Sequence, residues 1–472
     1  MKIKKKQLFW ISGLCITAIF CLTLFACIAG MPEITGWELL RGIQLEFKLD
    51  NLGKLFAVLT AGIWLLNMIY STEYMEHEEH LESYFIFYIL TLVAMIGVFF
   101  SGNLITMYLC YEMASVCSFP FVVHERTKEA IEAAKKYLFY SLGGAFIGLA
   151  GFFILSQNLP SLTFIAGGYL GEAVTGAKLT SVLAGVFCIL IGFGAKAGMF
   201  PMHGWLPSAH PVAPAPASAL LSGNLTKLGV FFIIRVFYYL TGVSYFRGTW
   251  VQYGFMVLSL LTILMGSMMA YKEKIIKKRL AYSTVSQVSY ILFGLSLMHP
   301  VGFVGALMHV VYHSLVKNTL FLCAGAIIHR TGHKLVKELK GIGRSMPVTM
   351  WCFTLVSVTL VGIPPTSAFI SKWYLATSSL STKIPVISWL GPVVLLTSAL
   401  LTAGYLIGIS MEAFLPGQDV VTENYEKKDP TFRMLVPLVT MTALSVILGI
   451  VTAPFTSYLF EIAKSVMSKG GC

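Results

Sequence analysis

The chain has 472 residues, of which 56% are hydrophobic and 12% charged, with a formal net charge of +12. The charged share is about half that of soluble proteins, too little polar cover for so much apolar surface in a soluble globule. A soluble enzyme, a disordered chain and a nucleic-acid module are excluded, and an all-α polytopic membrane protein is left, because a spanning chain must satisfy its backbone groups inside lipid.

Spans of about 20 apolar residues fit the bilayer core, and thirteen are read in chain order. The first, 7–30, follows the basic start MKIKKK. A cleaved signal peptide is the alternative there, but the run is long for one and shows no clear small-x-small cleavage site. Spans follow at 52–71, 83–101, 103–123 and 137–156. The sixth, 179–210, contains Gly192, Gly194, Gly198 and Pro201 and is read as one interrupted helix. The next four are 216–240, 251–271, 281–298 and 301–328. The eleventh, 347–379, is interrupted at Gly362, Pro364 and Pro365, and 388–414 and 434–460 complete the set. Counting either interrupted helix as two would change the parity.

Loop charge orients the chain. The inner segments would be 1–6, 72–82, 124–136, 211–215, 272–280, 329–346 and 415–433, and they hold 21 Lys and Arg. The outer segments hold seven: Arg41, Lys48, Lys178, Arg247, Lys383, Lys464 and Lys469. The N-terminus is therefore expected inside and the C-terminus outside, in the cell inner membrane. Segment 72–82 is the misfit, with five Glu and no Lys or Arg, but acidic residues count little in this rule.

Eight of the nine cysteines lie in spans, with Cys472 at the end, and none forms C-x-x-C. They read as apolar packing, not iron–sulfur or zinc ligands. No phosphate-binding glycine loop is present, so no cofactor is expected.

Six basic residues fall inside spans: Lys54, Lys196, Lys227, Arg235, Lys317 and Lys372, joined by Glu112 and Glu412. Each would cost roughly 2.5–3.5 kcal/mol or more facing lipid at the bilayer centre. Lys54, Arg235 and Glu412 lie near span ends and are expected to snorkel, Lys54 with Asp50 one turn earlier as an i,i+4 partner. Glu112, Lys196, Lys227, Lys317 and Lys372 have no such escape and are functional candidates. Burial disfavours the charged form of any such group, so lysines and carboxylates can approach the working pH and pass protons. His309, His313 and Lys317 are spaced by four and share a helix face, and histidine titrates near neutrality. A two-histidine metal site and simple packing are the rivals, with no third ligand evident for a metal. His77 and His80 read as a solvated acidic loop.

The interrupted sixth and eleventh spans are five apart, which suggests two inverted five-helix repeats. The expected organisation is 1–82 N-terminal helices and acidic loop, 83–240 first repeat, 251–414 second repeat, and 415–472 C-terminal loop and last helix. Lys196 and Lys372 then sit on the broken helix of each repeat.

Five stretches carry a resemblance: YLCYEMASV, GFGAKAGMFPMHGWLPSAHPVAPAPASALLSGNLTKLGVFFIIR, KKRLAYSTVSQVSYILFGL, LMHVVYHSLVKNTLFLCAGAI and GIPPTSAFISKWYL. They resemble the antiporter-like membrane subunits shared by respiratory complex I, Mrp-type cation/proton antiporters and group 4 membrane-bound hydrogenases. The resemblance implies fourteen helices, a Glu112–Lys196 pair, Lys227 as the next relay, His309, His313 and Lys317 leading onward, and Lys372 as terminal exchange site. His203 and His210 match accessory positions. The family usually places two helices before the stretch resembling LEFKLDNLGKLF, and this chain has room for one. No long C-terminal lateral helix is seen, unlike the distal complex I subunit that carries one.

The implied function is proton translocation within a multi-subunit redox-driven complex, of the membrane-bound hydrogenase or complex I-like kind. The alternative is an Mrp-type Na+/proton antiporter subunit. Other membrane subunits, a peripheral redox module, the lipid bilayer and protons, with Na+ as a further candidate ion, are the expected partners; nucleic acid is not. A membrane-embedded transferase would need ionisable residues gathered at one face, and a purely structural subunit would tolerate their neutralisation.

Overall fold

The computed structural model describes residues 5–40, 43–169, 176–417 and 428–467. Arg41, Lys469, Cys472 and most of the 415–433 loop lie outside the described residues. Helix α1 (Lys5–Ala29) leads into an antiparallel hairpin, β1 (Ile34–Leu40) and β2 (Ile43–Phe47). This is the one sheet among the described residues. Then come α2 (Asn51–Tyr74), α3 (Leu81–Phe99), α4 (Leu104–Val123) and α5 (Lys128–Asn158). Asp50, Asn103 and Thr127 cap three of these helices by accepting from the backbone of Gly53, Thr106 and Ala130, which satisfies amide donors that a helix start leaves free.

Helix α6 (Ala177–Ala197) stops at Gly198, whose φ of +79° turns the chain out of the helix, and α7 (Leu206–Val212) resumes it. A continuous rod follows: α8 (Ala215–Leu220), a π-helical turn (Leu221–Leu225), α9 (Thr226–Ile234) and a second π stretch (Arg235–Thr241). Helices α10 (Trp250–Lys272), α11 (Ile276–Ser296), α12 (Pro300–Thr331) and the short α13 (Ile342–Ser345) come next. Helix α14 (Pro347–Val361) ends at Gly362, φ +86°, before α15 (Ser367–Ser381). Helices α16 (Ile387–Phe414), α17 (Phe432–Ile450) and α18 (Ala453–Met467) close the described chain. Both expected interruptions are present, each at a glycine in the left-handed region.

Among the described residues, eleven helices are long and apolar enough to cross a membrane. Helix α11 is of spanning length but too polar to count with them, and the α14–α15 pair is split by its break. The 215–241 rod and α12 form the centre, with all and 94% of their spanning windows buried inside the protein, against 17% for α1.

The expected last span, 434–460, is two helices instead. Gly449 packs against the backbone of Pro365 and Ser367, the helix stops at Val451, and Pro454 sits in the first turn of α18. Proline is favoured there because its missing N–H would be unsatisfied anyway. Helix α18 buries Leu459, Ile462, Ala463 and Val466, an i, i+3, i+4, i+7 stripe. The segment 72–82 is also more structured than a solvated loop: Glu73 is buried, and its carboxylate accepts from the Thr431 backbone and hydroxyl at the start of α17. Cys15 and Cys21 are exposed on α1, whereas Cys117, Cys323 and Cys352 are packed inside.

Loop hydrogen bonds fall into two groups at opposite ends of the bundle. At one end Lys5 donates to Glu76, Val336 to Lys274, and Arg330 to Lys428. At the other, Lys48 donates to Phe100, Leu104 to Leu162, and Arg247 to Met298. Helix α18 lies at this second end, where Tyr458 donates to the Asn51 carbonyl.

Helices α5 and α6 pack through glycines. A Cβ on Gly144 would lie 2.5 Å from the Gly192 carbonyl oxygen, the close backbone approach seen where small residues recur in membrane helices. Gly192→Leu is expected to destabilise the protein by about 1–3 kcal/mol. A fall in the thermal unfolding midpoint of the purified protein checks this.

Candidate functional site

Gly144 and Gly192 bring Lys196, in the last turn of α6, against Tyr137 and Ser141 of α5. The fully buried Lys196 Nζ donates to Tyr137 Oη (2.6 Å), Ser115 Oγ (3.1 Å) and Ser141 Oγ (3.5 Å). The rings of Tyr137, Tyr111 and Trp205 lie 4.6, 5.8 and 6.0 Å from it. Glu112, on α4 one turn before Ser115, does not form a direct ion pair with Lys196. The described ion pairs lie elsewhere, and Glu112 Oε1 is buried without a hydrogen-bond partner. The two are electrostatic neighbours, with the Ser115, Tyr137 and Ser141 hydroxyls set around the lysine. Lys196 is thus solvated by hydroxyls, with Glu112 as a charge neighbour out of direct contact.

Lys227 sits just past the π turn. There the Thr226 N–H bonds the Leu221 carbonyl, and the Ser222 carbonyl accepts from the Thr226 hydroxyl at 2.8 Å and from Lys227 Nζ at 3.0 Å. The same Nζ lies 2.6 Å from His313 Nδ1 on α12. Two bases this close share a single proton position, so at most one of them donates across the contact. His313 and His309 rings stack 6.1 Å apart. His309 reaches Ser371 Oγ on α15 (2.9 Å) and Gln287 Oε1 on α11 (3.2 Å). Next to Ser371, Lys372 turns its Nζ onto the last carbonyls of α14, Leu360 (2.6 Å) and Val361 (3.0 Å), and over the Tyr290 ring at 5.0 Å. A helix carboxyl end favours a cation. Lys372 thus reaches back across the break onto the carboxyl end of α14, whereas Lys196, in the last turn of α6, sends its Nζ onto hydroxyls of α4 and α5 instead.

Lys317 shares the α12 face but, among the described residues, its Nζ donates only to the Leu280 carbonyl, at 3.2 Å. It stands beside Lys227 and His313 as a charge neighbour. His210 is buried against Phe321, with neither ring nitrogen bonded. His203 is half-buried and lies away from the row, near Phe200 and Lys136. No hydrogen bond among the described residues joins the Lys196 cluster to Lys227.

Arg235 departs from expectation. It is buried, not snorkelled, and makes a bidentate pair with Asp50 at 2.6 and 2.8 Å. Asp50 is therefore the partner of Arg235 and not of Lys54. At the opposite membrane face, burial and the nearby Glu125 raise the Glu78 carboxyl above its usual range. Burial, with His80 and Arg126 close by, lowers the His124 imidazole to about 4. The 3.9 Å contact between His124 and Glu78 is thus no ion pair at neutral pH.

The sequence reading assigned no role to Tyr137, Ser115, Ser141, Gln287, Tyr290 or Ser371. The signal was the recurrence of hydroxyls at one-turn spacing within apolar spans, as in Tyr137 and Ser141, and the polar run YSTVSQVSY.

Residues 101–402 match the family described as NADH:quinone oxidoreductase/Mrp antiporter, TM. The chain belongs to this NADH:quinone oxidoreductase/Mrp antiporter family. Residues 41–85 also match NADH-Ubiquinone oxidoreductase (complex I), chain 5 N-terminus. Within the NADH:quinone oxidoreductase/Mrp antiporter family it is similar to NADH-quinone oxidoreductase subunit N of Desulforudis audaxviator, 31% identical over 448 residues, 91% of this chain and 86% of that protein. It is 30% identical to Hydrogenase-4 component B of Escherichia coli, over 89% of this chain but 65% of that longer protein. A Na(+)/H(+) antiporter subunit of Alkalihalophilus pseudofirmus is 26% identical over 92% of this chain and 86% of its own length. The fold is that of a chain in the Mrp complex from Dietzia (TM-score 0.83, 20% identity, 98% and 92% covered). It is equally that of a chain in the membrane-bound sulfane sulfur reductase, an archaeal respiratory membrane complex (TM-score 0.84, 20% identity, 99% and 93% covered).

Proposed function

We propose that this chain moves protons across the bacterial inner membrane along Glu112, Lys196, Lys227, His313, His309 and Lys372, with Lys317 beside the row. It is a proton- or cation-translocating subunit of a multi-subunit membrane complex of the redox or antiporter kind. The observation that carries the reading is the 2.6 Å contact between Lys227 Nζ and His313 Nδ1. It joins the two halves of the molecule through bases that hold one proton between them. Glu112 Oε1, His313 Nε2 and Gln287 Nε2 are buried with bonding capacity left over, which bound water would take up as part of a relay.

In this reading, 83–240 and 251–414 are inverted repeats within thirteen spans, 1–82 and 415–472 flank them, and the N-terminus is inside with the C-terminus outside. The paired breaks, each with a lysine close by in sequence, support the repeats; the two groups of loops support the alternation of spans. His203 and His210 are accessory. Electrons from a peripheral redox module drive the movement, as in a membrane-bound hydrogenase or complex I-like oxidoreductase. The second reading, an Mrp-type Na+/proton antiporter subunit, is favoured by the 26% relative and the Dietzia fold match.

The test is the purified complex in sealed vesicles with a pH-sensitive dye. Donor-driven acidification is expected, and Lys372→Ala is expected to lower it at least about tenfold while the complex still assembles. Pumping unchanged in that variant would sink the assignment. Sodium-dependent pH change without any electron donor would select the antiporter reading.

A further inference from the structure

At the end of the bundle where Lys5 meets Glu76, helices α1 and α2 and the start of α17 enclose a groove of about 410 Å³. Its walls are apolar: Phe9 and Leu14 on α1 face Leu65, Met68 and Ile69 on α2. Its floor is open at Gly13, where an added Cβ would meet nothing within 4 Å. Its mouth carries two cations, Lys6 and Arg433. Both are exposed, and neither forms an ion pair among the described residues. The neighbouring Lys5 is already engaged by the Glu76 carbonyl. The frame is fixed by Glu73 of α2, which holds Thr431 at the start of α17.

An apolar slot between membrane helices, closed at the polar interface by unpaired basic side chains, matches one chemistry. We propose that the groove binds an anionic phospholipid of the adjoining leaflet, its phosphate on Lys6 and Arg433 and an acyl chain along Gly13. Basic pockets between spanning helices recognise headgroups in this way, and the slot supplies the chain contact that a free phosphate would not use. The site is separate from the Lys196–Lys372 row, so it stands whether or not that row carries protons.

Trp10 lines the groove and is 66% exposed, which makes it the probe. The full chain is placed in vesicles containing either brominated phosphatidylglycerol or brominated phosphatidylcholine, and Trp10 emission is taken as the difference from Trp10→Phe. Quenching by the anionic lipid is expected to exceed quenching by the zwitterionic one by at least about threefold. Lys6→Gln with Arg433→Gln should remove that preference. Gly13→Leu, which adds a side chain where space is open, should weaken it without lowering thermal stability. Equal quenching by the two lipids in the unmodified chain overturns the proposal, as does a preference that survives loss of both cations. So does quenching that disappears in the assembled complex, because a partner helix would then fill the groove.

Discussion

Replacing Lys227 with alanine is expected to cut coupled proton translocation by about a hundredfold or more, the scale on which a positioned proton-transfer group acts. Its side chain makes a close contact between the two halves, 2.6 Å to His313 Nδ1. Alanine removes the proton carrier and leaves the Ser222 carbonyl with the Thr226 hydroxyl as its side-chain donor. Lys227→Arg is a sharper test than it looks. Arginine keeps the positive charge but does not release its proton at working pH, so charge without exchange should leave the flux nearly as low. Measured as dye-reported acidification in vesicles holding the assembled complex, full activity in Lys227→Arg would show that the position supplies field and not protons. His313→Phe should fall less far. The Lys227–Ser222 contact survives it, and His309 remains tied to Ser371 and Gln287.

The lysines of this row were visible in the sequence because charge within an apolar span is costly and needs a reason. Glu112 and the four central lysines were found by subtraction, and both helix breaks were read from Gly198 with Pro201 and Gly362 with Pro365. The partners of these charges were not visible. Serine and tyrosine occur throughout the spans, so nothing in the sequence marked Ser115 and Tyr137 as the groups that solvate Lys196. The π turn at Leu221–Leu225 leaves no compositional mark either, yet it supplies the carbonyl that holds Lys227. The spacing of His309, His313 and Lys317 gave a shared face correctly. Only the packing of α9 and α15 around α12 decides that His313 meets Lys227, that His309 meets Ser371, and that Lys317 stands aside.

Arg235 shows why distance from a span end misleads. Five residues from the end, an arginine is normally able to reach water. Here residues 165–169 fold over that end: Ile165 donates to Tyr239, Gly167 to Tyr238 and Tyr169 to Leu240. The guanidinium is buried beneath, with Tyr239, Phe231 and Phe164 rings 4.5, 4.9 and 5.3 Å away. It is left with Asp50 as its charge partner.

The two members of that pair should therefore respond unequally to removal. Both line an open cavity of about 450 Å³, but Arg235 is 2% exposed and Asp50 28%. Asp50→Asn keeps a good helix cap for α2 but strands a buried cation. Breaking a buried pair in this way costs about 3–5 kcal/mol. The three rings offset part of that, on the order of 1–2 kcal/mol, so a net loss of about 2–3 kcal/mol is expected. Arg235→Leu leaves a carboxylate that water still reaches through the cavity and puts an apolar side chain among aromatic rings, so its loss should be nearer 1 kcal/mol. The double variant should recover most of the loss seen in Asp50→Asn, because the stranded charge is gone. Thermal unfolding of the four proteins forms a double-mutant cycle. Equal losses for the two single variants, or a double variant no better than Asp50→Asn, would mean that the bidentate contact is not what holds this end of the bundle together.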